Sequence, residues 1–582
     1  MSFCAVSPLW ADDISPTLPA IVKEGTPAEV LIEDPVLPVV QGSSQLTGGS
    51  GGLEHSMTDE LALPMRDTER PGAYSQFRGL GVTAEDNNVQ ALGIPLNAAQ
   101  GSGFDFSTFP QYLWSSYRFQ LGPSTGSLDP GAVSGTLTLV PWSEQALVDR
   151  KAVSRGTVLA TDNNLGQVSA ASSDGETYAA VLGCSAGDLR GPSGELSTKF
   201  HIGNTDARFH LLATDVTGSG RSFDYLASGS TQTTVRFLPV LQLDTAFPAH
   251  AELKQSVFYD NQYYASDIPG FGYSNTRAQQ IGVENVLLTD EWKLGISARE
   301  VFYSDEDLGS LDEGVGSLQI TRMAVLGNTI IEPTLQIIGV TDYGFYPQGS
   351  LGARSEFENG KLALFYRANY NRKFPTLNDR FVNIAGYFLP NPGLQPETDW
   401  TGTAGTEWKS GPLSTGLQVF GQKREDAQVY VTLPGGMLHQ YMNVGDAGIV
   451  SVLHRVAFSP VEEFQLSNSV TWSSSNIDAT GLRIPYLSDV TDVASAGYEV
   501  KPVNFSLFGR FATNSEGGTS ASTSTTIPGY ALFDFEARAV LGTGGEWTLA
   551  LRIDNLAGRQ ITIIPGTPLP GRVLSVLLIA TL

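Results

Sequence analysis

Charge is scarce in this sequence: 16% of its residues are Asp, Glu, Lys or Arg, against about 25% in an ordinary soluble domain. Positive charge is scarcer still. There are 35 Lys and Arg against 60 Asp and Glu, a net charge of −25, and no basic run. A nucleic-acid partner is excluded, because phosphates call for clustered cations. Only 2 cysteines occur, Cys4 and Cys184, which gives neither a disulfide framework nor a metal cluster. The 6 histidines are scattered without metal-ligand spacing. No run of about 18 apolar residues appears, so no transmembrane helix is expected. Walker, G-x-G-x-x-G and H-E-x-x-H motifs are missing as well, and no catalytic residue is expected.

What the chain does have is turn chemistry and alternation. Its 63 Gly and 32 Pro punctuate strand-length segments in which apolar and polar residues take turns. Around 549, Trp547, Leu549, Leu551 and Ile553 share one face, with Thr548, Ala550 and Arg552 on the other. Around 507, Phe505, Leu507 and Phe511 oppose Asn504, Ser506 and Arg510. A period of two places these sets on opposite faces of a sheet.

The texture divides the chain into zones. Residues 12–53 are extended and turn-rich, ending in Gly48-Gly-Ser-Gly-Gly52; 54–142 mix short strands with Gly and Pro; from 143 the alternation runs to 582 without a helical interruption. A soluble sandwich closes with far fewer strands. One closed antiparallel wall of about 22 strands, apolar outside and polar inside, is the known solution at this length. The fold class is therefore all-β, a transmembrane barrel with an N-terminal domain in its lumen.

Ordered phrases then carry a resemblance. The run Trp547-Thr-Leu-Ala-Leu-Arg-Ile553, Asp554-Asn-Leu-Ala-Gly-Arg-Gln560, Pro570-Gly-Arg572 and a closing apolar strand is similar to the end of TonB-dependent outer-membrane transporters. Phe374-Pro-Thr-Leu-Asn-Asp379 and Asn391-Pro-Gly-Leu-Gln-Pro-Glu-Thr398 resemble that family's mid-barrel phrases. Gln76-Phe-Arg-Gly-Leu-Gly81, Gly93-Ile-Pro-Leu-Asn97 and Gly131-Ala-Val-Ser-Gly-Thr-Leu-Thr-Leu139 resemble its plug. The resemblance implies a signal remnant and TonB-box segment at 1–27, a plug at 28–142 and a barrel at 143–582. In the family, two plug arginines pair with barrel glutamates. Arg78 and Glu397 match one such pair, whereas Leu121 stands where the second arginine would be, and Leu92 replaces an acid.

The resemblance further implies energised import of a scarce ligand by a monomeric barrel in the bacterial outer membrane: a corrinoid, since the compact barrel is similar in size to cobalamin transporters, or a ferric siderophore. TonB would add as a strand to an extended segment, for which Pro19, Ala20, Ile21, Val22 and Lys23 are the candidates. A transporter-derived barrel that serves other envelope proteins as receptor or scaffold is the alternative, favoured by Leu92, Leu121 and the loose TonB box. No cofactor is expected. Asp305, Asp307 and Asp312 crowd one external loop and are weak Ca²⁺ candidates, a solvated acidic loop being the simpler reading. The cluster Phe258, Tyr259, Tyr263 and Tyr264 fits either a ligand wall or the interfacial girdle general to membrane barrels.

Overall fold

The computed structural model describes residues 36–43, parts of 57–143, and 152–581 with short breaks, the longest at 220–230. From Ala152–Thr161 to Val573–Thr581 the alternating segments form one closed antiparallel sheet of 22 strands. One strand is split at Met323 into Gly309–Arg322 and Ala324–Leu326, and both parts pair with Thr329–Val340. Closure is made by Val573–Thr581 lying antiparallel to Ala152–Thr161, with Leu577 opposite Leu159. A closed wall leaves no edge with unpaired amides, which is the condition for crossing lipid.

The two faces of the wall follow the alternation. Trp547, Leu549 and Leu551 are exposed on the outside while Ala550 and Arg552 are buried within. Phe505, Leu507 and Phe511 face out and Arg510 faces in. Outward aromatics gather at two heights. Phe247, Phe357, Trp408, Tyr498 and Trp547 lie near the rim of short turns, and Trp400, Trp472, Phe511 and Phe533 lie higher. Trp400 and Trp408, 51% and 38% exposed, share one strand, Glu397–Ser410. Eight positions span about 27 Å along a strand, or about 20 Å of membrane height at a tilt of ~40°.

Inside the wall sits a small sheet in the order Val39–Ser43, Trp114–Leu121, Gly135–Pro141, Asn87–Ala91, Ile94–Pro95. The pair Asn87–Ala91 and Gly135–Pro141 is parallel. Trp114, Tyr117, Phe119, Leu137 and Leu139 are buried in its core, and Leu212, Leu238, Val240 and Phe258 of the wall pack against the same cluster. Phe420, Ile449, Leu453 and Ile477, on wall strands across the ring from these, belong to the same cluster, so apolar packing on two sides and polar contacts together join the plug to the wall.

Two rims differ in kind. Connections at one end are tight, such as Gly203-Asn204 and Gly327-Asn328. Those at the other carry secondary structure of their own: the short helix Leu377–Phe381, and the hairpin Gln428–Thr432 with His439–Asn443. The hairpin pairs in parallel with Phe388–Leu389, so the connections 374–396 and 426–446 form one body over the mouth.

Candidate functional site

The plug meets the wall in a buried ion cluster below these long connections. Among the described residues its plug member is Asp86. The wall contributes Lys373, Glu397, Asp399, Gln422 and Arg424. Lys373 ends the strand Leu362–Lys373, Glu397 begins Glu397–Ser410, and the two are opposite each other in one rung. Asp399 and Arg424 form another rung. Because inward positions recur every second residue, Glu397 and Asp399 point to the lumen together, as do Gln422 and Arg424.

Arg424 is fully buried and acts as the hub. Its guanidinium donates to Asp86 Oδ1 at 2.6 Å and to both Asp399 oxygens at 2.9 Å. Lys373 Nζ donates to Asp86 Oδ1 at 3.0 Å and to Thr83 Oγ1 at 2.7 Å. Glu397 Oε2 stands 3.5 Å from Arg424 Nη1 and 3.9 Å from Lys373 Nζ, while its other oxygen accepts from the Gln428 backbone N–H. Gln422 bridges plug and wall, accepting from Val82 N at 3.1 Å and donating to Asp399 at 2.8 Å. Burial raises the Asp86 carboxyl, but the charges of Arg424 and Lys373 outweigh that and hold it well below the usual carboxylate range.

The plug sequence is shaped to present this one carboxylate. Thr83 donates to Asp86 through both its amide and its hydroxyl at 2.9 Å. The Asp86 carbonyl accepts from Val133 N and Ser134 N at 3.0 Å each. Gly79 has φ 57°, and a Cβ there would strike the Asn87 side chain at 2.5 Å; one at Gly81 would meet Asp86 Cβ at 2.6 Å. The two glycines after Arg78 are therefore required by the close packing of that turn onto Asp86 and Asn87.

Elsewhere the wall donates to plug carbonyls. Arg236, chelated by Asp260 at 3.0 and 2.8 Å, donates to Leu96 O at 2.9 Å. Gln242 donates to Leu92 O at 2.7 Å, and Gln418 to Leu121 O at 2.9 Å. Thr471 reaches Ala62 O. Leu121 is buried in the plug core, and the wall holds its carbonyl instead of its side chain. Leu92 occupies a turn at φ 54° beside Gly93 at φ 72°, a left-handed pair in which leucine is strained by about 1–2 kcal/mol.

At the mouth, the helix Leu377–Phe381 is capped reciprocally by Thr376 and Asp379. Leu377 packs on Ala278, Val301 and Tyr303 of the inner wall. Arg380 bonds Glu313 and, at 2.6 Å, Asp342, with the Tyr343 and Phe381 rings 5.4 and 5.1 Å away.

Glu397 thus lies in the plug–wall cluster, and the cations that face it among the described residues, Lys373 and Arg424, come from the wall. Arg78, the segment Pro19–Lys23 and Asp307 lie outside the described residues. Asp305 and Asp312 fall on opposite phases of the sheet, Asp312 sharing its phase with outward Phe302. Among the described residues no group of three or more His, Cys, Asp or Glu could hold a metal ion. The aromatic cluster divides between faces. Phe258 is buried against the plug, filling the space a Cβ at Gly282 would take, and Tyr264 bonds Gln262 inside. Tyr263 bonds Tyr273, which is exposed on the outside.

Sequence reasoning missed Asp86, Lys373 and Arg424. The available signal was charge on the inward phase of the wall strands, as in Glu397-x-Asp399 and Gln422-x-Arg424, where nothing but a charged partner in the lumen makes such burial tolerable.

Solved structures share this architecture. A variant of the ferric enterobactin receptor of Pseudomonas aeruginosa is similar over 96% of this chain and 100% of its own, with TM-score 0.79 and 13% identity. The copper transporter OprC is similar over 94% and 98%, with TM-score 0.78 and 13% identity. The FrpB iron transporter of Neisseria meningitidis is similar over 94% and 99%, with TM-score 0.76 and 13% identity. At such identity the likeness is one of fold. No curated protein matches the sequence. The family described as TonB dependent receptor-like, beta-barrel matches residues 70–556. That match spans most of the wall and much of the plug, and the chain belongs to the TonB-dependent receptors of the Gram-negative outer membrane.

Proposed function

We propose that this receptor is an energised importer of a metal chelate of the siderophore type, driven by TonB through the segment Pro19–Lys23. The observation that carries the reading is the grip on Asp86. A plug whose buried charge is held at one ionic cluster and whose carbonyls are held by a few directional contacts, beside the apolar packing it shares with the wall, can be released once those contacts are broken. Receptors of similar fold are described as taking ferric enterobactin, copper and iron, which supports a metal-bearing cargo over a corrinoid. No bond is made or broken in such transport, so the chemistry is binding, closure and displacement. The barrel would act as a monomer.

Deleting residues 17–25 tests this. Uptake of labelled ferric chelates by cells should be abolished, while surface binding and barrel assembly persist, because the segment's proposed role is strand addition to TonB and the described wall strands begin at Ala152. Undiminished uptake would defeat the TonB-driven reading. A deletion silent in uptake, with the phenotype reproduced by loss of a protein partner, would favour a receptor or scaffold.

A further inference from the structure

The connection 374–396 leaves the wall at Lys373 and returns at Glu397, which are partners in one rung. Both ends are therefore members of the cluster that holds Asp86. Within the connection, the helix Leu377–Phe381 is bound to the opposite limb: Asn391 N donates to Arg380 O at 2.8 Å. The same limb is held by Tyr343, whose hydroxyl donates to Leu394 O at 3.0 Å. The second mouth connection hooks on at the same place. Gln428 N donates to Glu397, Gln428 Nε2 donates to Gln395 O at 2.9 Å, and Asn443 Nδ2 donates to Gln395 O at 3.0 Å. Arg380 fastens this body to the wall strand Gly309–Arg322 through Glu313 and to the turn after Thr329–Val340 through Asp342.

From this continuity we infer that Arg380 is a positioning residue for the plug, setting the grip of Lys373 and Glu397 on the Asp86 cluster from the mouth of the barrel. With Arg380 latched, the helix and the returning limb are fixed, and the rung Lys373–Glu397 is held where Lys373 reaches both Asp86 and Thr83. When the helix is displaced, the rung loses its support on the lumen side, and the ionic grip is the contact that weakens. Coupling between distant sites requires an element with two arrangements that both sites bias. Here that element is the connection 374–396, with the latch at its crown and the grip at its feet. The inference rests on the importing role only for its use; the coupling itself is a property of the isolated protein.

The test uses the full chain purified in detergent, without TonB, and reads backbone hydrogen exchange. Arg380→Gln removes two charge-assisted bonds, and exchange in the plug segment 79–91 should quicken by about tenfold, alongside 374–396. Arg380→Lys, which keeps the charge but loses the planar fork, should restore part of the protection. In an Asp86→Asn background, Arg380→Gln should add nothing further to plug exchange, since the grip it supports is already gone. Arg483→Gln, at another external connection, is the control and should leave the plug unchanged. Should Arg380→Gln prevent barrel assembly, Asp342→Asn replaces it, removing one latch carboxylate from a half-exposed site. Quickening confined to 374–396, no quickening at all, or full additivity with Asp86→Asn would each overturn the inference. None of these readouts depends on uptake, so they stand or fall apart from the deletion of residues 17–25.

Discussion

The inner and outer surfaces of the same wall obey opposite rules. Outside, Leu507, Phe511, Leu549 and their neighbours are exposed and apolar, and each can be exchanged for another apolar residue because lipid makes no directional demand. Inside, Arg236, Arg367, Arg424 and Arg552 are all buried, and each is paired with a particular carboxylate: Asp260, Glu332, Asp86 with Asp399, and Asp554. The outer face is specified by pattern and the inner face by partners. Within the inner face a second contrast appears. The contacts of Gln242 and Gln418 to plug carbonyls are neutral and replaceable by water, whereas Asp86 would be left as a buried charge if its cations were removed. Among the described residues the plug's buried charge is therefore met at one point, beside the Arg236 contact to Leu96 O and the apolar packing shared with the wall.

The largest expected effect breaks that point. Arg424→Ala leaves Asp86, Asp399 and Glu397 facing Lys373 alone, and loss of one side of a buried ion pair costs about 3–5 kcal/mol. Plug unfolding or release should appear at correspondingly lower temperature or denaturant, with the barrel intact. A change below about 1 kcal/mol would mean that the grip is spread over many contacts. Next comes the outer rule. Leu507→Arg, between outward Phe505 and Phe511, should weaken barrel assembly into bilayers by about 2–4 kcal/mol. Unimpaired folding would place Leu507 beyond the lipid. The smallest effect sharpens the contrast within the lumen. Gln242→Ala should alter plug stability by about 0.5–1.5 kcal/mol, because water can take over at Leu92 O. A loss as large as that of Arg424→Ala would erase the distinction between the two kinds of contact.

The outer surface and the architecture were legible because a period of two is a local property. Trp547, Leu549 and Arg552 declare their faces within a few residues, and the ordered phrases supplied the plug. The same rule applied to Phe258-Tyr259 and Tyr263-Tyr264 would have divided that cluster, since neighbours in a strand face opposite ways. The grip was not legible. Asp86 and Arg424 are separated by 338 positions, and which inward charge meets which is decided by how the plug is turned in the lumen. Resemblance directed attention to Arg78 and to the arginine absent at 121. Among the described residues of the cluster, the wall supplies the cations and the plug supplies the acid they hold. Glu397 was singled out by the resemblance as a partner for Arg78, and in the structure it shares a rung with Lys373.

The joint between Val573–Thr581 and Ala152–Thr161 has a consequence for how the wall can fail. In an open sheet, losing a terminal strand shortens the sheet and leaves the rest as it was. Here the first and final strands are each other's neighbours, so damage to either exposes two fresh rows of amides to lipid at once. Ring closure also joins the wall residues most distant in sequence, the step of wall pairing with the greatest entropy to overcome. A substitution that weakens pairing around Leu159 and Leu577 would accordingly trap an unsealed, curled sheet instead of yielding a barrel with one strand fewer.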